Sequence, residues 1–261
     1  MTKGRLGRAI WSVLALCSVL TVFATPSSSR AGLAQAVSVV ALGDSVPAGT
    51  ACHCTPFPSL TAHALTASSG RTYTAANDAV AGATSADVLA QLDSDRAVIG
   101  HVRSANVIEI EIGANDVEYS NACGTSVTCY ASHLPAMEKN LAAIVSRTRA
   151  LSPGHKALVV LLDYWNVWLG GRYAAAKGPA YVAAAEQLTD DVDTAIKALA
   201  KRSGSAYVDL RAAFKGPGYD LDETRYLATD GDHPNAAGHE QIAKATDDVI
   251  EKTLHLTRTE R

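Results

Sequence analysis

A serine closes the apolar run Val39–Leu42 in the triplet Gly43-Asp44-Ser45, with Pro47 and Gly49 just behind it. A buried strand gains no packing by ending in a small hydroxyl, so Ser45 is a candidate nucleophile. Serine is a weak nucleophile at neutral pH unless a histidine takes its proton and a carboxylate orients that histidine. Asp230-Gly231-Asp232-His233-Pro234-Asn235 supplies both partners in one turn. The three-residue spacing lets Asp230 reach back to His233, whereas the neighbouring Asp232 diverges from it. Attack on a carbonyl also needs donors for the developing oxyanion. The backbone N–H of Ser45, the backbone N–H of Gly82 and the side-chain amide of Asn115 are the candidates.

These groups need a scaffold that gathers distant residues. Apolar, β-branched runs at Val37–Leu42, Thr72–Ala76, Val107–Ile112, Ala157–Leu162 and Ala206–Leu210 read as five strands. Alanine-rich helical patterns fall at Pro58–Ala67, Ser85–Leu92, Leu134–Ala150, Pro179–Arg202 and Ala236–Leu254. Such alternation predicts an α/β domain with a parallel sheet covered on both faces. Ligands of such sheets bind at the carboxyl ends of the strands. The groups around Ser45, Asn77–Gly82 and Gly113-Ala114-Asn115-Asp116 each follow a strand, and Asp230 and His233 precede the last helix.

Four blocks in this order resemble the SGNH (GDSL) hydrolase family: Gly43–Gly49, Asn77–Gly82, Gly113–Asp116 and Asp230–Asn235. The resemblance runs from about Val37 to the C-terminus. It implies a flavodoxin-like three-layer α/β/α sandwich and a cofactor-free, metal-independent esterase or lipase. It implies Ser45 as nucleophile, His233 as base, Asp230 as its partner, and Ser45, Gly82 and Asn115 as oxyanion donors. A small-molecule, lipid or glycan ester is the expected substrate. An acyltransferase, or a cell-surface carbohydrate-binding protein on a retained fold, are the alternatives.

One feature departs from that family. Glu109 and Glu111 alternate with isoleucines in the third strand, where similar proteins carry uncharged residues. Two unpaired carboxylates are costly inside a sheet, so a wet face or a polar partner is expected there. Tyr164, Trp165, Trp168, Tyr173 and Tyr181 cluster after the fourth strand. Trp165 and Trp168 are candidate substrate contacts or, equally, loop packing.

Residues 1–36 read as a signal peptide and short linker, with residues 37–261 as the hydrolase domain. Lys3, Arg5 and Arg8 precede an uncharged stretch from Ala9 to Ala24, followed by Pro26 and serines. Its loss would remove four bases and no acid, taking the net charge from −3 to −7. That balance argues against nucleic acid as a partner. Secretion, with no span after cleavage, is the expected location. The four remaining cysteines then suit disulfides. Cys123 with Cys129 closes a short loop and is the preferred pair, which leaves Cys52 with Cys54 as a tight second one. Cys52-His53-Cys54 has no second ligand cluster in sequence, so no metal is expected.

Overall fold

The computed structural model describes residues 1–2, 36–152 and 157–256. The signal-peptide reading therefore falls almost wholly outside the described residues. Five strands, β1 (Val37–Gly43), β2 (Tyr73–Asn77), β3 (Val107–Glu111), β4 (Leu158–Leu162) and β5 (Ala206–Val208), form one sheet. The order is β2-β1-β3-β4-β5 and every pairing is parallel. The helices are α1 (Ser45–Ala48), α2 (Phe57–Ser69), α3 (Ser85–Ser94), α4 (Arg96–Ser104), α5 (Val127–Ala131), α6 (Leu134–Leu151), α7 (Gly171–Ala175), α8 (Pro179–Ser203), α9 (Leu210–Lys215) and α10 (Ala236–Leu254). Among the described residues none is long and apolar enough to cross a membrane.

Strand alternation divides the core into two layers. Val40, Leu42, Ile108, Ile110, Val159 and Leu161 face a cluster that includes Val88 and Leu92 of α3, Leu141 and Ile144 of α6, and Leu188 and Val192 of α8. Val39, Val107, Val160 and Leu162 face Phe57 and Leu65 of α2, Phe214 of α9, and Ile242 and Ile250 of α10. Both faces of the sheet are thus covered, as runs with little polar alternation require. Helix α4 was not expected from the sequence pattern; Asp95 ends α3 and starts this new helix. Its side chain accepts from the N–H groups of Ala97 and Val98. Strand β5 is shorter than its apolar run because the chain turns into α9 at Leu210, where Asp209 caps by accepting from Ala212 N.

Glu109 and Glu111 lie away from the surface, so the expected wet face is not there, and no polar partner bonds them among the described residues. Both are fully buried, and none of their carboxyl oxygens has a hydrogen-bond partner among the described residues. The cross-strand neighbours on β1 are the small Ala41 and Gly43, which leave room for the two side chains. Burial raises the pKa of both well above the ordinary carboxyl value, and nearby Asp44, Asp163 and Glu109 raise Glu111 further. Neutralisation is how a buried acid without a partner escapes the cost of charge.

Stability should carry this signature. The folded pKa of Glu109 lies above its unfolded value of 4.5. Between the two, the folded chain keeps a proton that the unfolded chain releases, so stability falls as pH rises, by at most about 1.4 kcal/mol per pH unit. Glu109→Gln removes that slope. Thermal melts should show its advantage over the wild type growing from pH 5 to pH 8, whereas a constant difference would mean that Glu109 is ionised in the fold.

Candidate active site

Ser45 is the first residue of α1, half-buried at the carboxyl end of β1. The turn into it needs Gly43, whose φ is +154°. A Cβ there would collide with the carbonyl oxygen of Glu111 on β3. Asp44 donates its N–H to that carbonyl, N···O 3.3 Å. Its side chain points inward and is 1% exposed. Oδ1 accepts from Val46 N at 3.1 Å and Oδ2 from the Tyr164 hydroxyl at 2.6 Å. Burial pushes the Asp44 pKa up to about 6 against the pull of these two bonds.

The second block docks onto the same strand end. Val80 N donates to Gly43 O at 3.0 Å, and Asn77 Nδ2 to Pro47 O at 2.6 Å. Gly82 follows with φ +80°, exposed, and with open space where a Cβ would stand. The third block is a 3-10 turn, Ala114–Val117, entered through Gly113 at φ +141°. Asn115 Nδ2 donates to Ala83 O at 2.9 Å. An amide nitrogen carries two hydrogens, so this bond fixes the group beside Gly82 and leaves one N–H uncommitted among the described residues. Asp116 has a purpose that its position in sequence does not reveal. Its two oxygens accept from Ser85 N at 2.9 Å and Ser85 Oγ at 2.6 Å, clamping the start of α3 to the end of β3.

His233 lies in the turn that enters α10. Its Nδ1 pairs with Asp230 Oδ2 at 2.8 Å. Asp230 Oδ1 accepts from the N–H groups of Asp232 and His233, both at 3.1 Å. Burial alone would raise Asp230, but the His233 ring and these backbone donors hold it below the ordinary carboxylate value. Asn235 braces the turn from behind, donating to the carbonyls of Arg225 and Leu227 at 2.9 Å and accepting from Gly238 N. Asp232 has no hydrogen bond to the imidazole among the described residues and lines a cavity with Trp168 and Tyr181. Burial pushes its pKa up to about 6, with His233 pulling it down and Asp230 and Glu118 adding to the rise. His233 lies close enough to the Ser45 turn for its charge to lower Asp44. Ser45 Oγ makes no hydrogen bond among the described residues. Nucleophile–base bonds are commonly loose before substrate binds.

The two tryptophans separate. Trp165 is 1% exposed and stacks on Phe214 with ring centroids 4.2 Å apart, so it is a core side chain and not a substrate contact. Burial of its flat ring between β4 and α9 excludes it from any surface. Trp168 donates its indole N–H to Val117 O at 2.7 Å and lines the cavity beside Asp232. Cys52 is bridged to Cys54 and Cys123 to Cys129, with Cα atoms 5.1 and 5.8 Å apart.

Donor atoms of Cys52, Cys54 and His239 converge within 4.8 Å. They suit a metal poorly, because the sulfurs are bonded to each other. His239 Nδ1 accepts from Phe57 N at 3.3 Å, which leaves the proton of the neutral ring on Nε2. Asp247, Asp248 and Glu251 also cluster, near the far end of α10 from His233.

A family model for the GDSL-like Lipase/Acylhydrolase family matches residues 41–241. The chain belongs to that family. Its fold is shared with the lipase Lip_vut3 from a goat rumen metagenome, at 21% identity and TM-score 0.65 over 86% of this chain and 100% of that one. It is shared too with Axe2, an acetylxylan esterase from Geobacillus stearothermophilus, at 20% identity and TM-score 0.61 over 87% and 99%. TesA matches at 20% identity and TM-score 0.57 over 82% and 98%. No curated protein matches the sequence.

The clamp on α3 can be tested apart from any activity. Asp116→Ala strips the buried Ser85 N–H of its acceptor and should cost about 1–3 kcal/mol in urea denaturation. A loss within ~0.5 kcal/mol would mean that water or Asn140, which donates to Ser85 Oγ at 3.0 Å, takes over the clamp.

Proposed function

We propose that this chain is a secreted serine esterase that hydrolyses carboxylic esters through an acyl-enzyme on Ser45. The observation that carries the reading is the 2.8 Å bond between His233 Nδ1 and Asp230 Oδ2. It assigns the Nδ1 proton to the carboxylate side and leaves Nε2 as the basic nitrogen. Nε2 takes the Ser45 proton as Oγ bonds to the ester carbon, and the carbonyl oxygen becomes an oxyanion. The N–H groups of Ser45 and Gly82 and the second N–H of Asn115 donate to that oxygen, an interaction that strengthens only as charge develops. The ester C–O bond then breaks, and the alcohol leaves with the proton from Nε2. Water repeats the sequence on the acyl-enzyme, giving its proton to Nε2 and its oxygen to the acid, and Ser45 is restored. The basic, uncharged and serine-rich pattern of residues 1–36 supports export.

Two measurements test this mechanism. Ser45→Ala should lower p-nitrophenyl acetate hydrolysis by roughly a thousand-fold or more with an unchanged circular dichroism spectrum. A fluorophosphonate probe should label the wild type at Ser45, and labelling that persists in the variant would remove the assignment. Asp230→Asn should slow turnover far more than Asp232→Asn, because only Asp230 bonds the imidazole. An equal or larger loss at Asp232 would reverse the two roles.

A further inference from the structure

The turn that carries Asp230 and His233 is shaped by bonds within its own stretch of chain. Asp230 Oδ1 accepts from Asp232 N and His233 N, Ala228 N donates to His233 O at 2.8 Å, and Gly231 N donates to Ala228 O at 3.1 Å. Local bonds of this kind set the form of a turn but not its place beside the sheet. Asp230 is exposed, whereas Gly231 next to it is buried. Gly231 meets a distant segment of the chain. Gly170 N donates to Gly231 O at 2.8 Å. Tyr173 of α7 packs directly on the same residue, since a Cβ on Gly231 would collide with the Tyr173 ring.

That segment is held in turn by a buried pair of opposite charges. Glu223 Oε1 accepts from Gly171 N at 2.8 Å, and Thr224 Oγ1 accepts from Arg172 N at 2.9 Å. A Cβ on Gly170 would lie 2.6 Å from the same Oε1, so the carboxyl packs against the backbone of Gly170 and Gly171. Lys215 Nζ, on the last residue of α9, is 3.8 Å from Oε1. The Lys215 and Glu223 side chains are only 9% and 3% exposed. Helix α9 follows directly on β5, so the pair links the start of α7 to the end of a strand.

Burying two charges is expensive, and apolar side chains of similar volume commonly hold a fold as well or better. What the pair supplies is direction. An oxygen that must face both an ammonium group and a peptide N–H has little freedom to move. Reaction rates are sensitive to such placement, because a misplacement of about 1 Å can cost on the order of a hundred-fold. We infer that Glu223, held by Lys215, is a positioning residue for the acid–base turn. Its bond to Gly171 places Gly170 and Tyr173, and these place Gly231 between Asp230 and His233.

The inference rests on the esterase reading, and a rate counted per reactive serine separates positioning from folding. Active sites are titrated to completion with a fluorophosphonate probe, and p-nitrophenyl acetate turnover is expressed per labelled site. Glu223→Ala should lower kcat by at least about ten-fold with KM within about two-fold, because the turn bears on the chemical step. Glu223→Gln keeps an oxygen for Gly171 N and should restore kcat to within about three-fold of the wild type. Gly170→Ala keeps both charges but drives a Cβ against Oε1. It should slow turnover in the same way, and it carries the test if Glu223→Ala does not fold. A smaller loss per site in every folded variant, with only the melting temperature lowered, would overturn the assignment. So would a Glu223→Gln variant as slow as Glu223→Ala. If the wild type turns over no ester above the Ser45→Ala background, the esterase reading fails by itself, and proton NMR then decides the placement. The His233 Nδ1 proton resonance should move in Glu223→Ala and Gly170→Ala and stay in place in Glu223→Gln, whereas a resonance unmoved in all three would overturn the positioning role.

Discussion

The close approach of β1 and β3 at their carboxyl ends is the constraint on which the site depends. Gly43 packs without a side chain against the carbonyl of Glu111, and Asp44 donates its N–H to the same oxygen. Ser45 is one residue beyond that junction on one strand, and Asn115 is four residues beyond it on the other. Separations of 70 residues in sequence thereby become neighbours in space. Val80 N on Gly43 O draws the Gly82 loop to the same corner, and Asn115 Nδ2 on Ala83 O closes the ring. Each candidate oxyanion donor is thus held by the block next to it, through backbone contacts that any slip of register would break.

Below this corner the interior is unusually acidic. Asp44, Glu109, Glu111 and Asp163 are all buried at the sheet, and burial raises the pKa of each. Asp44 has a bonding partner in Tyr164, and Asp163 accepts from Leu210 N at 2.5 Å and from the Tyr207 hydroxyl. Glu109 and Glu111 have none among the described residues. Two of these acids accept a tyrosine hydroxyl, and in the other two burial pushes the carboxyl toward its neutral form. These are two solutions to one desolvation problem, placed side by side in a single layer.

The parallel sheet was legible because its strands are short apolar runs separated by helical patterns, and buried parallel strands read that way. The family blocks were legible because turn chemistry and catalytic residue types coincide at strand ends. What stayed hidden depends on side chains that meet across long separations. Nothing local marks Tyr164 as the partner of Asp44, 120 residues away, or Asp116 as the clamp on Ser85. Trp165 and Trp168 are three residues apart, yet one fills the core and the other walls a cavity, because β4 ends at Leu162 and the direction of the loop beyond is set by contacts with α9 and the 114–117 turn. Helix α4 lacked a recognisable start because its cap, Asp95, also ends the helix before it.

On the proposed mechanism, three donors held by mutual contacts converge on one oxygen above Ser45. A crystal structure of the wild type after reaction with a small alkylphosphonate tests it directly. The phosphorus should be bonded to Ser45 Oγ, with one phosphonyl oxygen within about 3.1 Å of Ser45 N, Gly82 N and Asn115 Nδ2 together, and with Asn115 still bonded to Ala83 O. A phosphonyl oxygen turned to solvent, with Asn115 bonded to Ala83 alone, would contradict it.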